Sequence, residues 1–194
     1  MNEEKALILD YLPQGKSSGF KSEPAAFVLG MNFFTILEVV PKPGVELKPL
    51  EEVYIGKESR DKIDHIKQRI PFEQLTNVAR GELEKAVEIV IRANEKRFLT
   101  FFNTSGSISL KRHQLELLPG IGKHHLGDIL RARQEKPFES FDDIEKRIKF
   151  LTSPVSILRR RIISELEGDE KHYLFARPPQ VEDGLRRPAG RFTR

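Results

Sequence analysis

The residues with the clearest chemical implication lie in the segment Leu118-Pro119-Gly120-Ile121-Gly122-Lys123. Pro119 disfavours helix at the residue before it, and the two glycines permit backbone torsions that a side chain would oppose. The segment therefore predicts a tight turn followed by a helix. Free N–H groups at a helix start, together with the positive end of the helix dipole, favour a phosphate oxygen. We predict phosphate binding by the backbone amides of Gly120, Ile121, Gly122 and Lys123, to which the Lys123 side chain adds a cation.

This hairpin resembles the helix-hairpin-helix family of nucleic-acid-binding motifs, whose signature is Leu-Pro-Gly-Ile-Gly followed by an apolar helix. The resemblance implies affinity for a nucleic-acid backbone without sequence specificity. We expect the first helix of the unit to run from about Leu110. The second helix should bury Leu126, Ile129 and Leu130, and Gly127 should let the two helices approach closely.

A second, degenerate copy follows in the sequence. Ser140 precedes acidic residues and an apolar pattern, as expected of a helix N-cap. In place of the glycine hairpin stands Leu151-Thr152-Ser153-Pro154, and the next helix is marked by Ile157, Leu158, Ile162, Ile163 and Leu166. Two interpretations stay open: Thr152 and Ser153 contact phosphate, or the second copy only completes the core.

Three consecutive arginines, Arg159 to Arg161, lie in the last predicted helix. Successive helical residues are rotated by about 100°, so the three cannot share one face, and at least one should face solvent or Glu165. The candidate nucleic-acid contacts in this region are Lys149, Thr152, Ser153, Arg159 and Arg160.

The first seventy residues predict five short strands, because apolar and β-branched runs alternate with turn residues. Pro41 to Gly44 should form a loop, since proline cannot donate to a central ladder. The strands suit a small closed barrel of the OB or S1 type, with a small antiparallel sheet on a helix as the alternative. Phe33, Phe34 and Tyr54 are the candidate residues for stacking on the bases of a single strand.

Helix is predicted from about Leu75 to Phe102, with Asn94 as a polar break in the apolar stripe. The predicted fold class is therefore α+β, in four parts. Residues 1–74 form the OB-like or S1-like barrel, 75–110 the linking helices, 111–167 the tandem helix-hairpin-helix domain and 168–194 an extended basic tail. Within that tail, His172 to Phe175 is an apolar cluster expected to dock on a domain.

Charge is unevenly distributed along the 194 residues. The net charge of +4 divides into −1 for residues 1–110 and +5 for residues 111–194. Attraction to a polyanion should therefore be centred on the C-terminal part, which also contains the hairpin.

Several classes of function leave no signature in this sequence. There are no cysteines, which excludes disulfides, thiolate metal sites and cysteine catalysis. No Walker loop, dinucleotide-binding glycine motif or hydrolase motif is found. We therefore expect no catalytic residues, no metal site and no cofactor, although a monovalent cation would fit at the hairpin. With no long apolar run, the sequence predicts a cytoplasmic protein without membrane partners.

The chain as a whole resembles an uncharacterised archaeal family with an OB-like or S1-like barrel before a helix-hairpin-helix region. The resemblance rests on Phe27 to Val39, Val53 to Lys57, Asp64 to Ile66 and Leu118 to Gly122. It implies RNA or nucleotide binding and a link to translation or the ribosome. The first hypothesis is thus a non-catalytic nucleic-acid-binding protein that favours RNA over DNA. The alternatives are a duplex-DNA-binding accessory of repair or recombination and a protein-interaction adaptor.

Overall fold

The computed structural model describes residues 3–15, 23–149 and 151–178. The five predicted strands form one antiparallel sheet in the order β4-β1-β2-β3-β5, curled into a half-barrel. Within the described residues β4 and β5 are the two edges, so the sheet is open between them. The strands are β1 Lys5–Leu12, β2 Ala25–Gly30, β3 Ile36–Pro41, β4 Glu52–Tyr54 and β5 Ile63–Arg69.

The predicted Pro41–Gly44 loop begins one residue later than expected, because Pro41 is the last residue of β3. Pro41 pairs with Ile63 at the end of the ladder, a position where the missing N–H of proline is tolerated.

Both faces of the sheet are buried, and for that reason β2 is apolar along its length and β3 is apolar except for the buried Glu38. One face gathers an inner apolar cluster from all five strands and the loop before β4. Side chains of the opposite face, including Leu7, Leu9, Phe27 and Leu29, pack in the main core with the helices. The interior of the half-barrel is therefore filled by protein side chains.

The predicted helical stretch is divided into two helices at its polar residue. A short 3₁₀ helix, Phe72–Gln74, precedes α1, Asn77–Ala93, and α2 runs over Glu95–Thr104. Asn94 lies between them, and its side-chain amide donates to the carbonyl of Val90 at 2.9 Å. Asn94 thus ends α1 by competing for the backbone acceptors of its last turn.

The helix expected from about Leu110 is absent, and that prediction was wrong. Residues 107–113 form a two-stranded hairpin, β6 Ser107–Ser109 and β7 Arg112–His113, and a 3₁₀ helix Gln114–Leu117 follows. His113 starts this turn as a capping box: its Nδ1 accepts from the amide of Leu115 at 3.1 Å, and Glu116 accepts from the amide of His113 at 2.7 Å. Since the cap and Pro119 leave room for only one turn, an α-helix cannot form between them.

Three α-helices complete the fold: α3 Lys123–Glu135, α4 Phe141–Arg147 and α5 Pro154–Glu167. The predicted N-cap is confirmed, since Ser140 Oγ accepts from the amide of Asp143 at 3.0 Å. The role predicted for Gly127 was wrong. Gly127 is exposed, and a Cβ placed there would meet no atom within 4 Å, so it mediates no close helix approach.

The C-terminal segment docks on the core, as predicted for His172 to Phe175. The Phe175 ring lies 5.3 Å from that of Phe98 and 5.0 Å from that of Phe101. The carboxylate of Glu165 accepts from three consecutive amides, those of Leu174, Phe175 and Ala176. The remainder of the predicted basic tail, residues 179–194, lies outside the described residues.

A single apolar cluster joins the sheet, α1 to α5 and the C-terminal segment. In the part of the chain that the structure describes, no helix combines the length and the apolar character needed to cross a membrane.

Candidate nucleic-acid interface

The predicted hairpin forms a turn in which one of its two glycines has a left-handed backbone. Gly120 has φ +90°, a conformation that L residues adopt only at a cost. Gly122 has φ −88° and ψ −176°, which any residue adopts, so its expected torsional role was wrong. A Cβ at Gly122 would meet nothing within 4 Å. The backbone is therefore open to close approach from solvent at this point.

Three of the four predicted amides are free of intramolecular acceptors among the described residues: those of Gly120, Gly122 and Lys123. The fourth is not, because Ile121 donates its N–H to the carbonyl of Leu118 at 3.1 Å. Ile121 therefore holds the turn together, and its side chain is buried. Gly122 caps α3 without a side chain, and the first turn has no acidic residue. The positive end of the α3 dipole is therefore not neutralised locally.

The hairpin forms one wall of a groove of about 610 Å³, which we call the hairpin groove. The other walls come from β7, which supplies Arg112, and from α5, which supplies Arg160. The Nη2 atom of Arg160 lies 3.5 Å from the carbonyl oxygen of Pro119. Neither arginine has an ion-pair partner among the described residues, so both charges are available to an anion.

The acidic residues that line the groove are already engaged. Glu116 accepts from the amide of His113, and Glu170 bonds to Arg161 at 2.8 Å and to Ser164 at 2.9 Å. Because these carboxylates are held by protein donors, they oppose an incoming anion less than free carboxylates would.

The three consecutive arginines diverge, as their helical spacing predicts. Arg159 faces Glu84 and Glu88 of α1 at 3.5 and 3.6 Å, so its charge is used within the protein. Arg160 reaches the hairpin groove. Arg161 is 3% exposed and pairs with Glu165, which confirms that one of the three faces that residue.

The described residues of the second hairpin contribute nothing to the walls of the hairpin groove. Lys149 and Thr152 are exposed, and Ser153 precedes α5 without a side-chain cap bond. Their contact with phosphate stays a prediction. The neighbouring Arg147 is structural, since its guanidinium bonds to the carbonyls of Ala132 and Lys136 and lies 4.6 Å from the ring centre of Phe138.

Of the three aromatic candidates, Phe34 is fully buried and the other two are half-buried, so base stacking by Phe33 and Tyr54 stays a prediction. Phe34 is 1% exposed and packs against Phe98, so the prediction that it stacks on bases was wrong. Phe33 is half-buried, with the Arg177 guanidinium 5.2 Å from its ring centre. Tyr54 is half-buried at the end of β4, where its hydroxyl accepts from the amide of Glu58. In the sequence, Phe33-Phe34 looks the same whether its rings are buried or exposed. Only the burial of Phe34 in the structure distinguishes the two cases.

Arg112 is the groove residue that sequence reasoning missed. The signal was weak: Lys111-Arg112 is a pair of cations just before the capping box. Because a helix was expected from Leu110, these side chains had no assigned direction. The hairpin of β6 and β7 turns Arg112 toward the groove.

Comparison with known proteins places the chain among proteins of unknown function. Residues 2–177 match the family described as "Protein of unknown function (DUF655)". Uncharacterized protein MJ0038 of Methanocaldococcus jannaschii is 44% identical over 177 residues, which cover 90% of this chain and 80% of that protein. The crystal structure of Af1531 from Archaeoglobus fulgidus, of the same family, superposes with a TM-score of 0.84 at 39% identity, over 90% of this chain and 100% of that one.

A shorter similarity reaches a much larger enzyme. DNA polymerase III PolC-type of Thermotoga maritima is 30% identical over 105 residues, which are 48% of this chain but 7% of the polymerase. The match to the polymerase thus concerns a small part of that protein, whereas the DUF655 match spans nearly all of this chain. The chain belongs to the DUF655 family.

Proposed function

We propose that this protein binds nucleic acid without catalysing a reaction, and that the hairpin groove holds a backbone phosphate. The proposal rests on one observation. Within the described residues, hairpin amides without an acceptor and two arginines without an ion-pair partner, Arg112 and Arg160, converge on one groove. Lys123, exposed at the start of α3, adds a third cation beside it.

Each part of the groove suits a phosphate. The amides of Gly122 and Lys123 donate along the α3 dipole to one oxygen, and guanidinium groups donate in a fork that matches phosphate geometry. Such contacts release counterions from the nucleic acid, so affinity should fall steeply with salt.

We infer further that the half-barrel corresponds to an OB-like barrel and that residues 111–167 correspond to a tandem helix-hairpin-helix. The support for the second point is the positive φ of Gly120 followed by a helix at Lys123, and then a second capped helix pair that begins at Ser140. The five-stranded antiparallel order with an apolar interior supports the first.

A phosphate contact touches neither base edges nor the 2′-hydroxyl. The groove alone should therefore bind RNA and DNA of equal charge with similar affinity. The preference for RNA and the translation role implied by the resemblance require a second contact that recognises the 2′-hydroxyl. Duplex DNA is the second candidate ligand, favoured by the segment shared with proteins named DNA polymerase III PolC-type.

The test is a salt-titrated binding panel of single- and double-stranded RNA and DNA, with Gly122→Glu and Gly122→Ala as a matched pair. The Cβ that both substitutions add meets open space, but only the first adds a carboxylate next to the amides. Gly122→Glu should weaken binding to all four polymers, whereas Gly122→Ala should leave the affinity close to that of the wild type. Equal binding by the two variants would remove the groove from the mechanism. Salt-insensitive capture of a protein with no nucleic-acid binding would support an adaptor instead.

A further inference from the structure

The hairpin of β6 and β7, residues 107–113, projects from a firmly held base; we call it the finger. At its base, Gly106 and Gln114 exchange two hydrogen bonds of 2.9 Å, one through the Gln114 side chain. Arg133 of α3 bonds to the carbonyls of Phe102 and Ser105 at 2.9 and 3.0 Å. The base is therefore tied to α2 and α3, while residues 107–112 are all exposed.

The tip of the finger carries an apolar side chain that nothing in the described chain covers. Leu110 is fully exposed, and Ile108 is 39% exposed. These two account for half of the large apolar side chains exposed on the described residues, the others being Val78 and Ile89 on α1. An isolated exposed leucine is ordinary. A leucine at the end of an anchored projection, however, is well placed to contact a partner molecule.

The charge around the tip indicates what that partner is. Lys111 and Arg112 follow Leu110 directly, and no acidic residue occurs between Glu95 and Glu116. Neither cation has an ion-pair partner among the described residues. An apolar tip flanked by free cations complements a polyanion that carries apolar faces, which describes a nucleic-acid strand with unstacked bases.

The finger is also continuous with the hairpin groove. Arg112 belongs to both, since it is the first residue of β7, directly after the two-residue loop, and lines the groove with Gly120 and Arg160. A strand whose phosphate lies in the groove therefore passes the finger at its next nucleotides.

We propose that the finger binds an unpaired nucleotide next to the phosphate held in the groove, with Leu110 against the base and Lys111 and Arg112 on the backbone. This inference rests on the proposed function and adds to it a preference for unpaired or unstacked bases. Apolar side chains of this size insert at base steps in other proteins that deform nucleic acids. A fully stacked duplex presents no such base face, so it should engage only the groove.

The first test removes the apolar contact and the base in turn. Leu110→Ala should weaken binding to a single-stranded oligonucleotide roughly fivefold, the loss expected for one leucine that is only partly covered. The loss should be similar at low and high salt, because the contact is apolar. It should vanish for a duplex and for an oligonucleotide with abasic residues, whose phosphates remain. Wild-type affinity of Leu110→Ala for the single strand would overturn the inference.

The second test uses the absence of tryptophan from the chain. Leu110→Trp should show quenched emission on saturation with the single strand, because the indole stacks on a base. Val78→Trp on α1, at a side chain 57% exposed, is the control and should not respond. Unchanged emission from Leu110→Trp, while Gly122→Glu still weakens binding, would overturn the finger and leave the groove intact. Self-association that Leu110→Ala abolishes without affecting nucleic-acid binding would assign the finger to a contact between copies of the chain.

Discussion

Arg161 and Glu165 form an ion pair of 2.8 Å one turn apart on α5, and both side chains are almost completely buried. The pair connects two parts of the molecule. Arg161 donates to the carbonyl of Leu117 at 2.9 Å, beside the hairpin, and to that of His172. Glu165 accepts from the amides of residues 174–176. One hydrogen-bond network, centred on Arg161 and Glu165, therefore connects the lining of the hairpin groove to the C-terminal segment.

Glu165→Gln should strongly destabilise the protein. The substitution leaves the buried Arg161 with Glu170, which is partly exposed, as its remaining carboxylate partner. It also points an amide group at backbone donors, so we expect a loss of about 3 kcal/mol in the free energy of unfolding. Glu88→Gln is the control, because its partners Arg92 and Arg159 are more exposed, and it should cost less than about 1 kcal/mol. Urea denaturation measures both, and similar costs would contradict the importance given to burial.

Stability should depend on pH through His113. Burial and the neighbouring Arg133 lower the pKa of His113 below its ordinary value of 6.5. Between the folded and unfolded pKa values, the unfolded chain therefore binds more protons than the folded chain. The contribution of His113 to the free energy of unfolding is thus fully present above about pH 6.5 and is lost as the pH falls from there toward the folded pKa. Protonated Nδ1 also cannot accept from the Leu115 amide.

His113→Asn keeps a side chain that caps helices but does not titrate. In this variant the part of the pH dependence just below pH 6.5 should disappear while folding is retained. Denaturation series at several pH values compare the two proteins. An unchanged profile in the variant would assign the dependence to other groups.

The two glycines of the hairpin should respond differently to alanine. Gly120→Ala forces an L residue to φ +90° and should cost about 1–2 kcal/mol of stability. Gly122→Ala, where the backbone is extended and space is open, should be nearly neutral. Chemical denaturation of both variants checks this prediction, which fails if Gly122→Ala is the more costly.

Phe34 and Phe33 should differ in their contribution to stability. Phe34→Ala opens a cavity beside Phe98 and should cost about 3–5 kcal/mol. Phe33→Ala removes a half-buried ring under Arg177 and should cost clearly less. Thermal denaturation gives the two stabilities, and a cost for Phe33→Ala as large as that for Phe34→Ala would contradict the difference in burial.

Arg160 and Arg159 provide a paired test of the groove. Arg160→Gln should lower the slope of log affinity against log salt by about one, the change expected for one lost phosphate contact. Arg159→Gln should leave the slope unchanged, since that side chain faces Glu84 and Glu88. Equal slopes for both variants would place the phosphate elsewhere.

Strong local signals in the sequence correctly predicted most elements. The five strands, the N-cap at Ser140, the helix start at Lys123 and the break at Asn94 each depend on one residue type or a short pattern, and each is present. The helix from Leu110 failed because a histidine cap was not recognised: His113 and Glu116 together set the turn at 114–117. Histidine at an N-cap is a weaker sequence signal than serine or aspartate.

The site was less predictable because it is assembled across the chain. The hairpin itself was identified from local glycine and proline chemistry. Which of three adjacent arginines faces it depends on where α1 lies, since Glu84 and Glu88 take Arg159. The inclusion of Arg112 depends on the pairing of β6 with β7. Neither the direction of these arginines nor the position of Arg112 can be predicted from the spacing of residues in the sequence.

The bonds of Glu165 have a consequence for how the protein is made. A chain leaves the ribosome from its N-terminus, so Leu117 and Arg161 emerge before the amides of residues 174–176 that complete the buried network. Until then Glu165 lacks three of its donors. The bonds that tie Glu165 to the C-terminal segment can therefore form only after Ala176 has left the ribosome.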